Sequence, residues 1–333
     1  MWYPLVRRIL FTLPPEAAHQ VTLKLLAYAP RVFFPKAVND PVQCMGLTFP
    51  NRIGIAAGFD KNAECIDGIA KLGFGFIEVG TLTPRPQVGR AKPRIFRSPE
   101  HQALINRMGF PNRGIVYACK RIAKSRYQGV LGINIGKNAD TPIDDAVSDY
   151  LICMRHAYPH ASYLTINISS PNTEKLRTLQ EADYLSRFLE TLKEEQQRLQ
   201  TKHGSYKPLV LKIAPDLTTD EIIEIAELIK QYEFDGVIAT NTTLKRHDYL
   251  PEAFTREAGG LSGVPLAERS TAVIRTLAKV LPQSIPIIGC GGIVSQDDAK
   301  AKLDAGATLL QTYTGLIYQG PNLVAECASL SNR

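Results

Sequence analysis

The residues with chemistry to offer gather where apolar runs of the chain end. The run YLTINI, which closes on Asn167, stops in Ser169-Ser170-Pro171-Asn172-Thr173. Other runs end in Ala57-Gly58-Phe59-Asp60-Lys61, in Thr81, in Asn134, in Lys212 and in Thr240-Asn241-Thr242. A longer connection delivers Asn106-Arg107-Met108-Gly109-Phe110. The last two runs end in Gly289-Cys290-Gly291-Gly292 and Tyr313-Thr314-Gly315. Asparagine amides pair donors with acceptors, which suits a ring of alternating C=O and N–H groups, either a flavin or a pyrimidine. Of the two lysines, one could hold a substrate carboxylate and the other the anionic N1–C2=O edge of a reduced flavin. The late glycines let a phosphate approach backbone N–H groups, with a helix start after run eight adding its positive end. No histidine follows Ser170 closely enough to activate it in the usual way. Its hydroxyl is a weak base unless its own proton leaves, to water or to a neighbouring hydroxyl such as Thr173. Singly, each of these residues is explained as well by capping; their convergence at one end of one architecture describes a site.

That architecture is legible in the spacing. Eight short apolar runs, at roughly 53–58, 75–81, 129–136, 163–170, 208–214, 234–242, 284–292 and 307–314, alternate with helix-period stretches such as Asp183–Gln200, Thr219–Tyr232 and Leu266–Val280. Runs this continuously apolar belong to strands covered on both faces. Eight β and α units predict a closed (β/α)8 TIM barrel with its chemistry at the strands' carboxyl ends. An open doubly wound sheet is the alternative, and the first run carries no G-x-G-x-x-G fingerprint. The connection from Pro84 to about Asn112 is too long for a simple crossover, and reads as an inserted hairpin plus a loop over the barrel mouth.

Residues 1–36 stand outside this pattern. Tyr3–Leu13 and Glu16–Ala29 predict two short helices joined across Pro14-Pro15. The second is apolar or small around most of its circumference, so it needs a second surface. Two readings stay open: docking on the barrel alone, or a hairpin in a membrane interface with its basic residues near anionic headgroups. Five basic residues here face the single Glu16, so this segment carries +4 of the chain's net +7. Arg7 and Arg8 interrupt the first apolar run, which excludes a secretory signal. No stretch approaches the length of a membrane span, and nothing singles out nucleic acid as a partner. The six cysteines form no C-x-x-C pair and have no histidine at ligand spacing, so they read as buried reduced thiols, with no metal site. The sequons at Asn167 and Asn241 lie at strand ends and are chance matches.

The motifs AAGFDKN, INRMGFPN, GINIGKN, NISSPNT, LKIAPDL, IATNTT, GGLSGVPL and IIGCGGI, in this order, closely resemble the dihydroorotate dehydrogenase family. The resemblance runs from the first residues to about Gly320. Serine at the base position and the N-terminal hairpin resemble the membrane-associated, quinone-dependent class 2. The resemblance implies oxidation of (S)-dihydroorotate to orotate, with bound FMN and a membrane quinone as acceptor, in pyrimidine (UMP) biosynthesis. It implies Ser170 as the base. It assigns substrate binding to Lys61, Asn106, Arg107, Met108, Gly109, Phe110, Asn167, Asn172, Asn241 and Thr242. For FMN it assigns Ala57, Gly58, Phe59, Asp60, Lys61, Thr81, Asn134, Asn167, Lys212, Thr240, Gly263, Gly292, Tyr313 and Thr314. His19 and Arg97 fall in the quinone tunnel. The implied division is a hairpin of residues 1–36 and an FMN-binding barrel of residues 37–333. Without a transit peptide ahead of the hairpin, the expected location is the cytoplasmic side of a bacterial inner membrane, in peripheral contact with anionic lipid. Thr314 stands where the family often has serine, and Cys290 where a small aliphatic residue is common.

Overall fold

In the computed structural model, which describes residues 3–330 apart from Glu174, eight parallel strands close into a barrel. They are β1 (Ile53–Ile55), β2 (Phe76–Leu82), β3 (Val130–Ile135), β4 (Tyr163–Asn167), β5 (Leu209–Ile213), β6 (Gly236–Ala239), β7 (Ile287–Cys290) and β8 (Leu309–Thr312). They pair in chain order, and β8 closes on β1 with Leu310 beside Ile53. Every position of every barrel strand is buried. That explains the lack of period-2 alternation in the sequence, because helices cover the outside and side chains fill the inside. The open-sheet alternative is excluded. The sequence runs are longer than the strands; β4 ends at Asn167, so Ser169–Thr173 lie in the following loop.

The three expected helices form over Ala182–His203, Thr219–Gln231 and Ala267–Val280. A capping box between Thr218 and Glu221 starts the second of these. The long connection contains the expected hairpin, Ile95–Ser98 against Ala103–Asn106. A third strand, Gly260–Gly263, pairs with Ala103–Asn106. A four-residue segment with glycine at both ends does not read as a strand; its partner, over 150 positions away, makes it one.

The N-terminal helices are α1 (Tyr3–Thr12) and α2 (Pro15–Tyr28). The Tyr3 hydroxyl donates to the Ile317 carbonyl at 2.6 Å. Arg94 and Glu16 form a bidentate pair at 2.7 and 3.2 Å. Lys71 donates to the Ala29 carbonyl at 3.0 Å, at the end of α2. The hairpin therefore docks on the barrel through one face. Its other face leaves Leu5, Ile9, Leu25 and Tyr28 exposed, at 64, 62, 55 and 88%. No helix of the described residues is long and apolar enough to cross a membrane. All six cysteines are buried and free.

Candidate active site

A cavity of about 650 Å³ extends from the carboxyl ends of the strands to the space between α1 and α2. This size and placement match a small-molecule site in a barrel of this kind. The inner end is polar. Its wall includes Lys61 after β1, Thr81 on β2, Asn167 and Ser170 on and after β4, Lys212 on β5, and Thr240, Asn241 and Thr242 after β6. Ala57, Gly58, Phe59, Gly263, Gly292, Tyr313 and Thr314 also face it, as do Asn106, Met108, Gly109, Phe110 and Asn172.

Three of the expected residues do not line the cavity. Asp60 is buried and turns inward, accepting the backbone amides of Asn62, Glu64 and Cys65 at 3.3, 2.9 and 2.7 Å. Burial raises its pKa despite those donors. Arg107 points away, pairs with Glu257 at 2.5 Å and lies over the Phe96 ring at 4.5 Å. Asn134 sits one layer behind: its Oδ1 accepts from Thr81 Oγ1 at 2.6 Å and from Asn167 Nδ2 at 3.2 Å.

Beneath this layer lies a residue that sequence reasoning passed over. Glu78, fully buried on β2, accepts from Asn134 at 2.8 Å, Tyr163 at 2.9 Å, Thr165 at 3.0 Å and Gln311 at 2.8 Å. One carboxylate thus ties β2 to β3, β4 and β8. It also orients Asn134, which in turn orients Thr81 and Asn167. A single acidic letter within FIEVG was the only available signal. Ser262 was also missed; its hydroxyl shares a hydrogen bond with Thr314 at 2.9 Å in the cavity wall.

The amides interlock around Ser170. Asn241 Nδ2 donates to Ser169 Oγ at 3.1 Å, and Asn172 Nδ2 donates to the Asn106 carbonyl at 3.1 Å. Ser170 Oγ accepts the Asn172 amide at 3.2 Å, which leaves its proton free to donate. Thr173 Oγ1, three residues on, is buried without a hydrogen-bond partner among the described residues.

The exposed surface of Lys61 faces the cavity rather than bulk water. Its ammonium donates to the Gly58 carbonyl at 2.6 Å, and burial lowers its pKa to about 8. Burial, with the nearby Lys61 charge, lowers the His19 pKa to about 3 and keeps that imidazole neutral. His19 meets the Phe59 ring edge-on at 5.3 Å, and Phe59 meets Tyr313 at 5.9 Å. This aromatic line joins the polar end to the outer end. The outer end is apolar, with Val6, Leu10, Phe11, Leu25 and Phe33 in its wall. Arg97 lies there too, donating to the Leu13 carbonyl at 2.5 Å beneath the Phe11 ring.

Two features suit a planar anionic cofactor. Lys212 is buried at 5% exposure, yet its ammonium finds no hydrogen-bond or ion-pair partner among the described residues and faces the cavity. Such a charge needs an anionic or strongly accepting partner. Gly58 has φ of +100°, and a Cβ there would project into cavity space with only the Tyr313 ring edge nearby, at 3.5 Å. A side chain would fill the space that a ring system needs.

Comparison with known proteins places these features in a family. The family description "Dihydroorotate dehydrogenase" matches residues 41–329. A dihydroorotate dehydrogenase (quinone) from Chromobacterium violaceum is 56% identical, covering 98% of this chain and 97% of the relative. One of the same name from Acinetobacter baylyi is 53% identical over 99% of each. Among solved structures, a DHODH from Eimeria tenella in complex with ferulenol is similar, with a TM-score of 0.87 and 38% identity, covering 94% of this chain and 89% of that one.

Proposed function

The chain belongs to the dihydroorotate dehydrogenase family, and from that premise we propose that it oxidises (S)-dihydroorotate to orotate, with FMN as resident cofactor and a membrane quinone as acceptor, in de novo pyrimidine synthesis. The observation that carries this reading is a single cavity with a polar floor and an apolar mouth. The floor suits a pyrimidine acid and a flavin ring, and the mouth suits an isoprenoid quinone.

FMN bound here would accept the hydride from C6 of the substrate and pass electrons on to the quinone. Ser170 removes the C5 proton. Its own proton leaves in the same step to water, directly or through the Thr173 hydroxyl, which passes its own proton on to water; Thr173 Oγ1 is buried and has no hydrogen-bond partner among the described residues. Pro171 restricts the backbone that holds the base. Lys61 pairs with the substrate carboxylate, while Asn106, Asn167, Asn172, Asn241 and Thr242 hold the ring. The backbone of the Met108–Phe110 loop closes over it and keeps water from the weakly acidic C5–H. On the cofactor side, Lys212 would offset the negative charge of a reduced flavin, and Thr81, Thr240 and the Ala57–Phe59 segment would hold its ring. Gly263, Gly292, Tyr313 and Thr314 would hold the phosphate. Asn134 and Asp60 act one layer back, by fixing Thr81 with Asn167 and by shaping the Lys61 loop. Arg107 fixes the substrate loop from outside, through Glu257.

The hairpin of residues 1–36 lies in the interface of the inner membrane on its cytoplasmic side. Leu5, Ile9, Leu25 and Tyr28 enter the apolar layer, and the basic residues meet anionic headgroups. Quinone enters between the helices, past Arg97 and His19. The test is direct. Purified protein should be yellow, bleach anaerobically with dihydroorotate and regain colour with a long-chain quinone. Yellow protein that dihydroorotate does not bleach would make it a silent flavoprotein; preferential reoxidation by fumarate or NAD would place it in a soluble class.

A further inference from the structure

Lys302 sits near the end of helix Gln296–Asp304 and is 1% exposed. Its ammonium donates to the hydroxyls of Ser270 and Thr271, both at 3.1 Å, and reaches the Ala267 carbonyl at 3.4 Å. These partners are neutral. It forms no ion pair among the described residues. The carboxylate acting on it at longer range, Asp298, is engaged by the Ser295 hydroxyl at 2.7 Å and the Val294 amide at 3.1 Å. A buried ammonium held only by neutral groups is costly unless an anion offsets it. In keeping with that cost, burial lowers its pKa to about 8.

Its contacts lead to the glycine turn after β7. Ser270 Oγ donates to the Cys290 carbonyl at 2.7 Å, and the same carbonyl accepts the Thr240 amide at 2.7 Å. Gly292, at φ +78°, packs so closely that a Cβ on it would stand 2.3 Å from Ala267 Cα. The turn therefore leans on the residue whose carbonyl Lys302 approaches.

We propose that Lys302 is a positioning residue for the cofactor phosphate: it braces the Gly291-Gly292 turn through Ser270 and Ala267 and supplies, from behind the turn, positive charge that offsets the phosphate. This rests on the reading that FMN's phosphate lies at that turn. The ammonium stays one protein layer from the ligand, so its effect is electrostatic and conformational rather than a direct contact. In a medium of low effective dielectric such a charge still acts across several ångströms.

The experiment is an equilibrium titration of deflavinated full-length protein with FMN and with riboflavin, which lacks the phosphate. In Lys302→Met, FMN should bind roughly tenfold weaker or worse while riboflavin changes by less than about twofold, in line with loss of one charge interaction. Lys302→Arg should recover most of the FMN affinity. Lys302→Gln keeps a donor for Ser270 without the charge, and carries the test if the methionine variant does not fold. Equal weakening of both flavins would reduce Lys302 to a packing role, and wild-type FMN affinity in the methionine or glutamine variant would overturn the proposal. Failure of the wild type to bind FMN would instead sink the cofactor reading.

Discussion

The two ends of the cavity are built by different means. At the inner end, polar groups from β3, β4 and β8 converge on Glu78 of β2, and each amide is held by at least one hydrogen bond from another strand or loop. At the outer end, α1 buries none of its residues and α2 only Ala18 and Leu26, and the wall is mostly aliphatic and aromatic. Hydrogen bonds are directional, so the inner end can fix a ring and a base to within a fraction of an ångström. Apolar contact is non-directional, so the outer end can admit a long flexible chain without a fixed register. On the proposed function, that difference divides a half-reaction that needs geometry from one that needs access.

The largest effect is expected at Ser170. Ser170→Ala should retain FMN and orotate yet slow flavin reduction by about 10²–10⁴-fold, while reoxidation by quinone stays unchanged. Wild-type reduction rates in stopped flow would remove Ser170 from its role. At the other end, deletion of residues 1–36 should leave reduction by dihydroorotate intact and abolish efficient oxidation by long-chain quinone. Equal survival of both half-reactions would show that the ends are not separable.

Glu78→Gln sharpens the contrast. The new amide faces donors on both of its sides, so one buried donor loses its acceptor, at a cost of about 1–3 kcal/mol. The urea midpoint should fall accordingly, and flavin reduction should slow as Asn134 and Asn167 lose their orientation. The corresponding truncation of exposed Leu25 to serine should change stability by no more than about 0.5 kcal/mol.

The gentlest probe is pH. Lys61 carries a pKa of about 8 in the fold, below its ordinary 10.5. Its charge is lost as pH rises through about 8, so the orotate dissociation constant should climb about tenfold per unit above that point. Lys61→Met should lack that limb. The unfolded chain binds the extra proton between about 8 and 10.5, so this lysine's contribution to folding stability rises across that window.

Local patterns in the sequence determined the barrel and most of its chemical equipment. Continuous apolar runs mark strands covered on both faces, and the polar residues after them mark the strand ends, because both signals act within a few residues. Residues whose fate depends on distant partners were decided only by tertiary structure. Arg107 follows Asn106 directly, yet turns out of the cavity because Glu257 and Phe96 lie outside it. Asp60 turns inward because three amides of the next loop wait there. Gly260–Gly263 became a strand through a hairpin far away in the chain. Nothing in the residues beside Glu78 or Lys302 marks their partners, and only the closing of the barrel and the packing of its helices buried them among those partners. Burial and long-range pairing arise from the whole fold, so no local window of sequence contains them.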